Sequence, residues 1–337
     1  MKVVNKQELK DIGIKILTKA GVPKSDATEV AEHLAEANLR GRDSHGIARV
    51  TAIVKGINMK TINPSAQVSV VRETAATALI DGNQGIGQVV ALKATDMAIE
   101  KARNVGVGIV SMRNAAHIGF LAYYTERVAK QGMLGIAFTN TEPAVSPTGG
   151  MEPVLGTNPI CIGIPYSDEP ILVDLATSVV ARGKIVDFER KGQKIPKGWA
   201  LDKEGADTED PTAALAGSLL PIAGPKGYCL AFAIDLLAGG LAGASVGTDV
   251  KGTMRTEEVA NKGDLIMVID PEKFSGGENF LGKVDRLAEQ IKLCKKAPGV
   301  TQIYLPGDPE LVAREKKMKE GVTLDDKLCQ QLSELGG

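Results

Sequence analysis

Ten residues, GRDSHGIARV at positions 41–50, gather Arg42, Asp43, Ser44, His45 and Arg49. The 337-residue chain has only three histidines, so one of them falling here raises a question about proton chemistry. A guanidinium holds a carboxylate through two parallel hydrogen bonds. An imidazole titrates near neutrality and donates or accepts a proton. Together they suit an anionic substrate with a proton to move nearby. The pattern predicts a helix over 44–57, which would set His45 and Arg49 at i and i+4 on one face. Ser44 and Asp43 would cap it or orient the ring. A capped helix start that happens to carry a surface histidine explains the same spacing.

His117 stands in NAAHIGFLAYY, at the expected junction of a strand and a helix over 117–132. Helix N-termini offer free N–H groups to phosphates, so the turn Asn114–Gly119 is a candidate pyrophosphate cradle. A plain helix start is the alternative. No G-x-G-x-x-G occurs there, and GNQGIG at 82–87 has the wrong spacing and ends no clear apolar strand. In GPKGYCLAFAID, Gly224, Pro225 and Gly227 form a tight turn from which Lys226 projects, again an anion site or an ordinary loop. Thr157, the end of VDLATS with Asp174, Thr177 and Ser178, and YLPGDPE at 304–310, read as a strand end with a turn, are weak signals by themselves. His33, among Glu29, Glu32 and Glu36, reads as part of a solvated helix face.

The elements that must position these groups change in texture along the chain. Residues 6–20 and 26–41 are helical by spacing, the second capped by Ser25 or Asp26. From about 70 to 275 strands and helices alternate, with 105–139 forming strand–helix–strand. Residues 187–212 are polar and turn-rich and read as a surface excursion. YCLAFAIDLLAGGLAGASVG reads as a buried helix, being interrupted by Asp235 and glycines. Helices return at 278–296, 308–320 and 323–335. The reading is a mixed α/β protein of α+β class: a helical domain from 1–70 and 278–337, and an inserted α/β domain at 71–277.

Composition narrows the function classes. Forty basic against 41 acidic residues give a formal net charge of −1, so no global field draws the protein to nucleic acid or an anionic membrane. Cys161, Cys229, Cys294 and Cys329 form no C-x-x-C pair, arguing against a zinc site or disulfide framework and for a reducing, cytoplasmic setting. The N-terminus has no apolar signal region. No metal-ligand spacing occurs, and no metal is expected.

RDSHGIAR (42–49), NAAHIGFLAYY (114–124), TNTEPAVSPTGG (139–150), LGTNPICIGIP (155–165), VDLATSVVARGKI (173–185) and GPKGYCLAFAID (224–235) together resemble the malate/L-lactate dehydrogenase family that is unrelated to Rossmann dehydrogenases. They fall in the family's order across nearly the whole chain, and within the family the chain is most similar to archaeal L-sulfolactate dehydrogenases, which also reduce oxaloacetate. The resemblance implies a non-Rossmann fold and NAD- or NADP-dependent reduction of a small 2-oxo acid by a homodimer. It makes His45 the acid, Ser44 part of its relay and Asp187 the distal member, with His117 a rival acid. It gives Arg49 the substrate carboxylate and Thr157 a substrate contact. Cofactor contacts fall to His117, Ile118, Gly119, Phe120 and Leu121, to Asp174, Leu175 and Ala176, to Lys226 and Gly227, and to Pro306, Gly307 and Asp308. A second substrate cation is not assignable, Arg113 and Lys184 being guesses. Ureidoglycolate dehydrogenase and cyclic imino acid reductase are alternatives within the fold, and a catalytically silent dinucleotide-binding protein is one outside it. A Ser/His hydrolase is disfavoured, since neighbours on a helix diverge by roughly 100° and no G-x-S-x-G elbow exists.

Overall fold

The computed structural model describes residues 1–167, 169–253 and 255–337. Strand β1 (Lys2–Val4) is followed by helices α1 (Lys6–Lys19), α2 (Lys24–Leu39) and α3 (Arg49–Asn58). Helix α1 starts where spacing placed it: Asn5 accepts from the Glu8 N–H, and the Glu8 carboxylate accepts from the Asn5 N–H. Helix α2 begins after Pro23 with no side-chain cap, so neither Ser25 nor Asp26 has that role. Leu9, Ile16, Leu17, Val30, Leu34 and Val50 meet in one apolar core, each burial of this kind contributing about 2 kcal/mol.

The middle of the chain builds a seven-stranded sheet. Its elements are β2 (Ser69–Glu73), β3 (Thr77–Gly85), α4 (Gly87–Val105), β4 (Val107–Ala115), α5 (Ala122–Ala129), β5 (Leu134–Thr139), β6 (Ile160–Ile164) and β7 (Ile171–Leu175). A late strand, β10 (Gly263–Ile269), enters at the centre, giving the order β2-β3-β4-β10-β5-β6-β7. Strand β10 is antiparallel to both β4 and β5, so the expected strand–helix–strand over 105–139 exists but is split by a third strand. Strands β3 and β4 pair in parallel through α4. Segment 82–87 therefore does end a strand and open a helix, contrary to expectation; the apolar residues of β3 alternate because only one face is covered.

Between β7 and β10 lie α6 (Arg182–Arg190), β8 (Ala200–Leu201), α7 (Pro211–Ala216), β9 (Ser218–Leu219) and α8 (Pro225–Asp235). The polar stretch 187–212 is thus no mere excursion. Ile185, Ile195, Ala200, Ala214 and Leu219, with Phe188 and Trp199 against them, form a small core of their own. Its few apolar residues are spread among charges, which hid it from periodicity. Helix α8 and the π-helical turn Leu236–Gly240 are not buried as expected: Phe232, Leu236 and Leu241 are about half exposed.

The chain closes with α9 (Gly277–Leu293), α10 (Asp308–Glu320), β11 (Val322–Leu324) and α11 (Asp326–Gly336). Strand β11 pairs with β1, α10 packs on α2, and α11 packs on α1 and α3. Helix α9 packs instead beside the turn Pro271–Lys273, with Lys292 over the Tyr166 ring. Tyr304 precedes α10 in irregular chain rather than ending a strand. No helix is long and apolar enough to cross a membrane among the described residues.

Candidate active site

The segment around His45 is not one helix. Asp43–His45 form a 3-10 turn, Gly46 is extended, and α3 begins at Arg49. Asn38 causes the break: its side chain accepts from the Ile47 N–H at 2.7 Å and donates to Asp43 at 2.7 Å, fixing the turn. The turn also brings Ser44 Oγ to 3.0 Å from His45 Nδ1, a hydrogen bond that helical geometry would forbid. The histidine at 117 lies in the loop after β4, five residues ahead of α5, so the helix starts later than expected. The rings of His45 and His117 stand 5.4 Å apart. The Gly119 N–H donates to His117 Nδ1 at 3.0 Å, which leaves the neutral ring's proton on Nε2.

Arg49, Gln88, His117, Thr253 and Glu258 line one cavity, where α3, the start of α4, the loop after β4 and the loop before β10 meet. The guanidinium donates to the Thr253 carbonyl at 3.3 Å. Thr253 donates through its N–H to Glu142 Oε1 at 2.8 Å, and Thr141 Oγ1 accepts from the Thr157 N–H at 3.0 Å. Arg49 is thereby tied to the strand end that carries Thr157.

Burial sets the electrostatics. It lowers His45 to about 4, helped by the positive fields of Arg49 and Arg42. It holds His117 well below the usual imidazole range, with Arg49, His45, Lys262 and His33 adding to the effect. Burial also lowers Arg49, against the attraction of Glu142. Both facing imidazoles are therefore neutral near pH 7. His33 is fully buried against Phe120, Tyr123 and Tyr124, not on a solvated face, and burial lowers it to about 3. The glutamates around it on α2 lie on other faces; Glu36 binds Lys6 and Arg314.

A second set of segments converges at the exit of β7. The Asp174 carboxylate, mostly buried, lies 3.2 Å from Arg42, an ion pair without hydrogen-bond geometry, so its Oδ2 has no hydrogen-bond partner among the described residues. Burial raises it above the usual carboxylate range, while Arg42 opposes that. Leu175 and Ala176, partly buried, follow directly. The Leu172 N–H donates to the Pro306 carbonyl at 3.1 Å, which docks the Pro306–Gly307–Asp308 turn on β7. Gly307 has φ +93°, and Asp308 accepts from the Leu305 N–H at 2.8 Å. The Ile222 N–H donates to the Thr177 carbonyl at 2.8 Å, which brings in the turn before α8. There Lys226 is exposed, and a side chain at Gly227 would collide with the Ile222 carbonyl. Helix N-termini, a buried carboxylate oxygen with no hydrogen bond and an exposed ammonium fit a phosphate-bearing ligand with hydroxyls to donate. Ile118, Phe120 and Leu121 point into the core, so only their backbone faces outward.

Asp187 is exposed, pairs with Arg190 at 3.4 Å and has no hydrogen bond or ion pair to Ser44 or His45 among the described residues. Its helix nonetheless passes Ser44: a carbon added at Gly183, one turn earlier, would touch Ser44 Cβ at 3.7 Å. Arg113 pairs with Asp81 and Lys184 lies over Trp199, so both are engaged elsewhere. Lys262, which the sequence reading missed, is buried beside the site. Its signal was Lys-x-Asp at the head of an apolar strand, two charges forced onto one face. No cluster of three or more His, Cys, Asp or Glu suited to a metal occurs among the described residues.

This combination, a sheet edge gathering glycine-containing turns beside paired neutral imidazoles and an arginine, suits an oxidoreductase of 2-hydroxy acids better than a hydrolase. Residues 4–333 match the malate/L-lactate dehydrogenase family, and the chain belongs to it. A malate/(S)-sulfolactate dehydrogenase of Methanothermus fervidus is 45% identical over 99% of this chain and 97% of its own. The solved sulfolactate dehydrogenase of Methanocaldococcus jannaschii superposes with a TM-score of 0.95 at 46% identity, covering 99% and 96% of the two chains. The malate dehydrogenase of Pyrococcus horikoshii gives 0.90 at 38% identity, covering 99% and 94%. Fold and class thus agree with the resemblance read from the six motifs.

Proposed function

We propose that the protein reduces a 2-oxo acid bearing a second anionic group, sulfopyruvate or oxaloacetate, to its 2-hydroxy acid, using NADH or NADPH. The observation that carries this is the convergence of Arg49 with the facing His45 and His117. Arg49 takes the substrate carboxylate, and Thr157, tied to it through Thr141, Glu142 and Thr253, adds a substrate contact. His117, its proton fixed on Nε2, donates a hydrogen bond to the substrate carbonyl and polarises it. His45 delivers the proton to the forming alkoxide and is resupplied through Ser44 Oγ. Asp187 completes that relay only if α6 shifts toward Ser44. A bound carboxylate cancels part of the Arg49 field, so the proton affinity of His45 rises as substrate arrives. The nicotinamide, when bound, supplies the hydride.

Asp174 accepts from a cofactor hydroxyl, while the turns at Lys226–Gly227 and Pro306–Asp308 hold its phosphates. The exposed Leu230, Phe232, Leu236, Leu237 and Leu241 favour a homodimer that covers them. Four free thiols suit a cytoplasmic setting.

Absorbance of the reduced nicotinamide tests this without added metal. Sulfopyruvate, oxaloacetate, pyruvate and a cyclic imino acid are each offered with NADH and with NADPH. Faster oxidation with either dianion than with pyruvate is expected. Preference for the imine moves the protein to the other branch of the fold, and no oxidation with any acceptor makes it a silent binder.

A further inference from the structure

The proposed substrates carry two negative charges, and Arg49 answers one. Arg42 is held by Asp174 and Glu310. Among the described residues, Lys262 is a buried cation near the cavity lined by Arg49 and His117 to which no task has been given. Lys262 directly precedes β10, whose first residue, Gly263, faces Arg113 on β4 and accepts from the Asn140 N–H at the end of β5. Lys262 therefore sits where β4 passes into the His117 loop and β5 passes into Thr141 and Glu142. Its side chain is 1% exposed and bonded to Asp264, itself fully buried. An ammonium has three donors, and Asp264 takes one; Asp264 Oδ2 lacks a hydrogen-bond partner. Its charge acts on His117. A buried ion pair commonly costs as much as it returns, so stability alone is a weak reason for a cation here.

We infer that Lys262 is the second substrate cation, binding the distal sulfonate or carboxylate and giving the enzyme its preference for dianions. This rests on the reading of the substrate above. Oxaloacetate and pyruvate differ only by the distal carboxylate, so the pair isolates it. In Lys262→Met, kcat/KM for oxaloacetate falls on the order of ten- to a hundredfold, mainly through KM, as expected for one lost charged hydrogen bond. For pyruvate it stays within about threefold. The double variant Lys262→Met/Asp264→Asn removes the charge without stranding a buried carboxylate and is used if the single variant does not fold.

A wild-type enzyme that prefers pyruvate, or reduces neither acid, overturns the substrate reading and this inference with it. A wild-type preference for oxaloacetate that survives in the folded variants overturns the inference alone. So does a parallel loss on both substrates.

Discussion

The two halves of the proposed site are built from different material. Around His45, Arg49, His117 and Lys262 the chemistry lies in side chains that are partly or wholly buried and electrostatically strained, each imidazole held below its usual range. At the exit of β7 it lies in backbone turns, in Gly227 and Gly307, and in one exposed lysine. The first half can discriminate among substrates, because a wrong partner leaves buried charges unanswered. The second holds a group common to many reactions by shape and N–H direction.

The sharpest way to separate the halves is to remove the acid. His45→Ala should lower kcat by about 10²- to 10⁴-fold while leaving dinucleotide affinity unchanged by titration of cofactor fluorescence. If His117→Ala is the more damaging and His45→Ala is nearly silent, the roles of the two rings are exchanged. The converse break is Gly227→Ala, whose methyl must displace the Ile222 carbonyl. Strain of this order should weaken dinucleotide binding roughly ten- to a hundredfold, with kcat at saturating cofactor nearly kept. A matching fall in kcat would mean that the halves are not independent.

Acid should find the first half before the second. His33 is about 3 in the folded state and 6.5 unfolded. Above pH 6.5 neither state binds its proton; below it only the unfolded state does, so stability falls from pH 6.5 down to about 3. The slope is about 1.4 kcal/mol per pH unit for this one ring. Urea unfolding at pH 7.5, 6 and 5 should show it, and His33→Leu, if folded, should reduce the slope by about that amount and leave the part due to His45 and His117; an equal slope in that variant would remove His33 as a cause. The smallest effect belongs to Lys226→Gln. Dinucleotide affinity should drop only a few-fold, and the drop should vanish at high salt, because an exposed charge is screened.

What the sequence disclosed follows the same divide. His45, Arg49 and His117 stood out because their side-chain types announce their chemistry, and the α1 and central-sheet periodicities were legible because burial enforces them. The turn at Asp43–Gly46 was not, since the residue that bends it, Asn38, belongs to the preceding helix. His33 misled for a related reason: glutamates nearby in sequence face away from it, and its aromatic neighbours come from residues 120–124. The small core of Ile185, Ile195 and Leu219 is assembled from residues too far apart for any local pattern. Lys262 went unnoticed because nothing local in the sequence shows that the strand it precedes is central to the sheet.

That position of β10 also has a consequence for how the protein is made. The middle strand of the sheet is the last of its seven to leave the ribosome. Until residue 269 emerges, β2-β3-β4 and β5-β6-β7 are two separate ribbons, each with an open edge where β10 belongs. Such edges invite mispairing during synthesis. The nascent chain therefore carries two open edges until β10 emerges, and only then can the sheet close, with Lys262 fixed at its head.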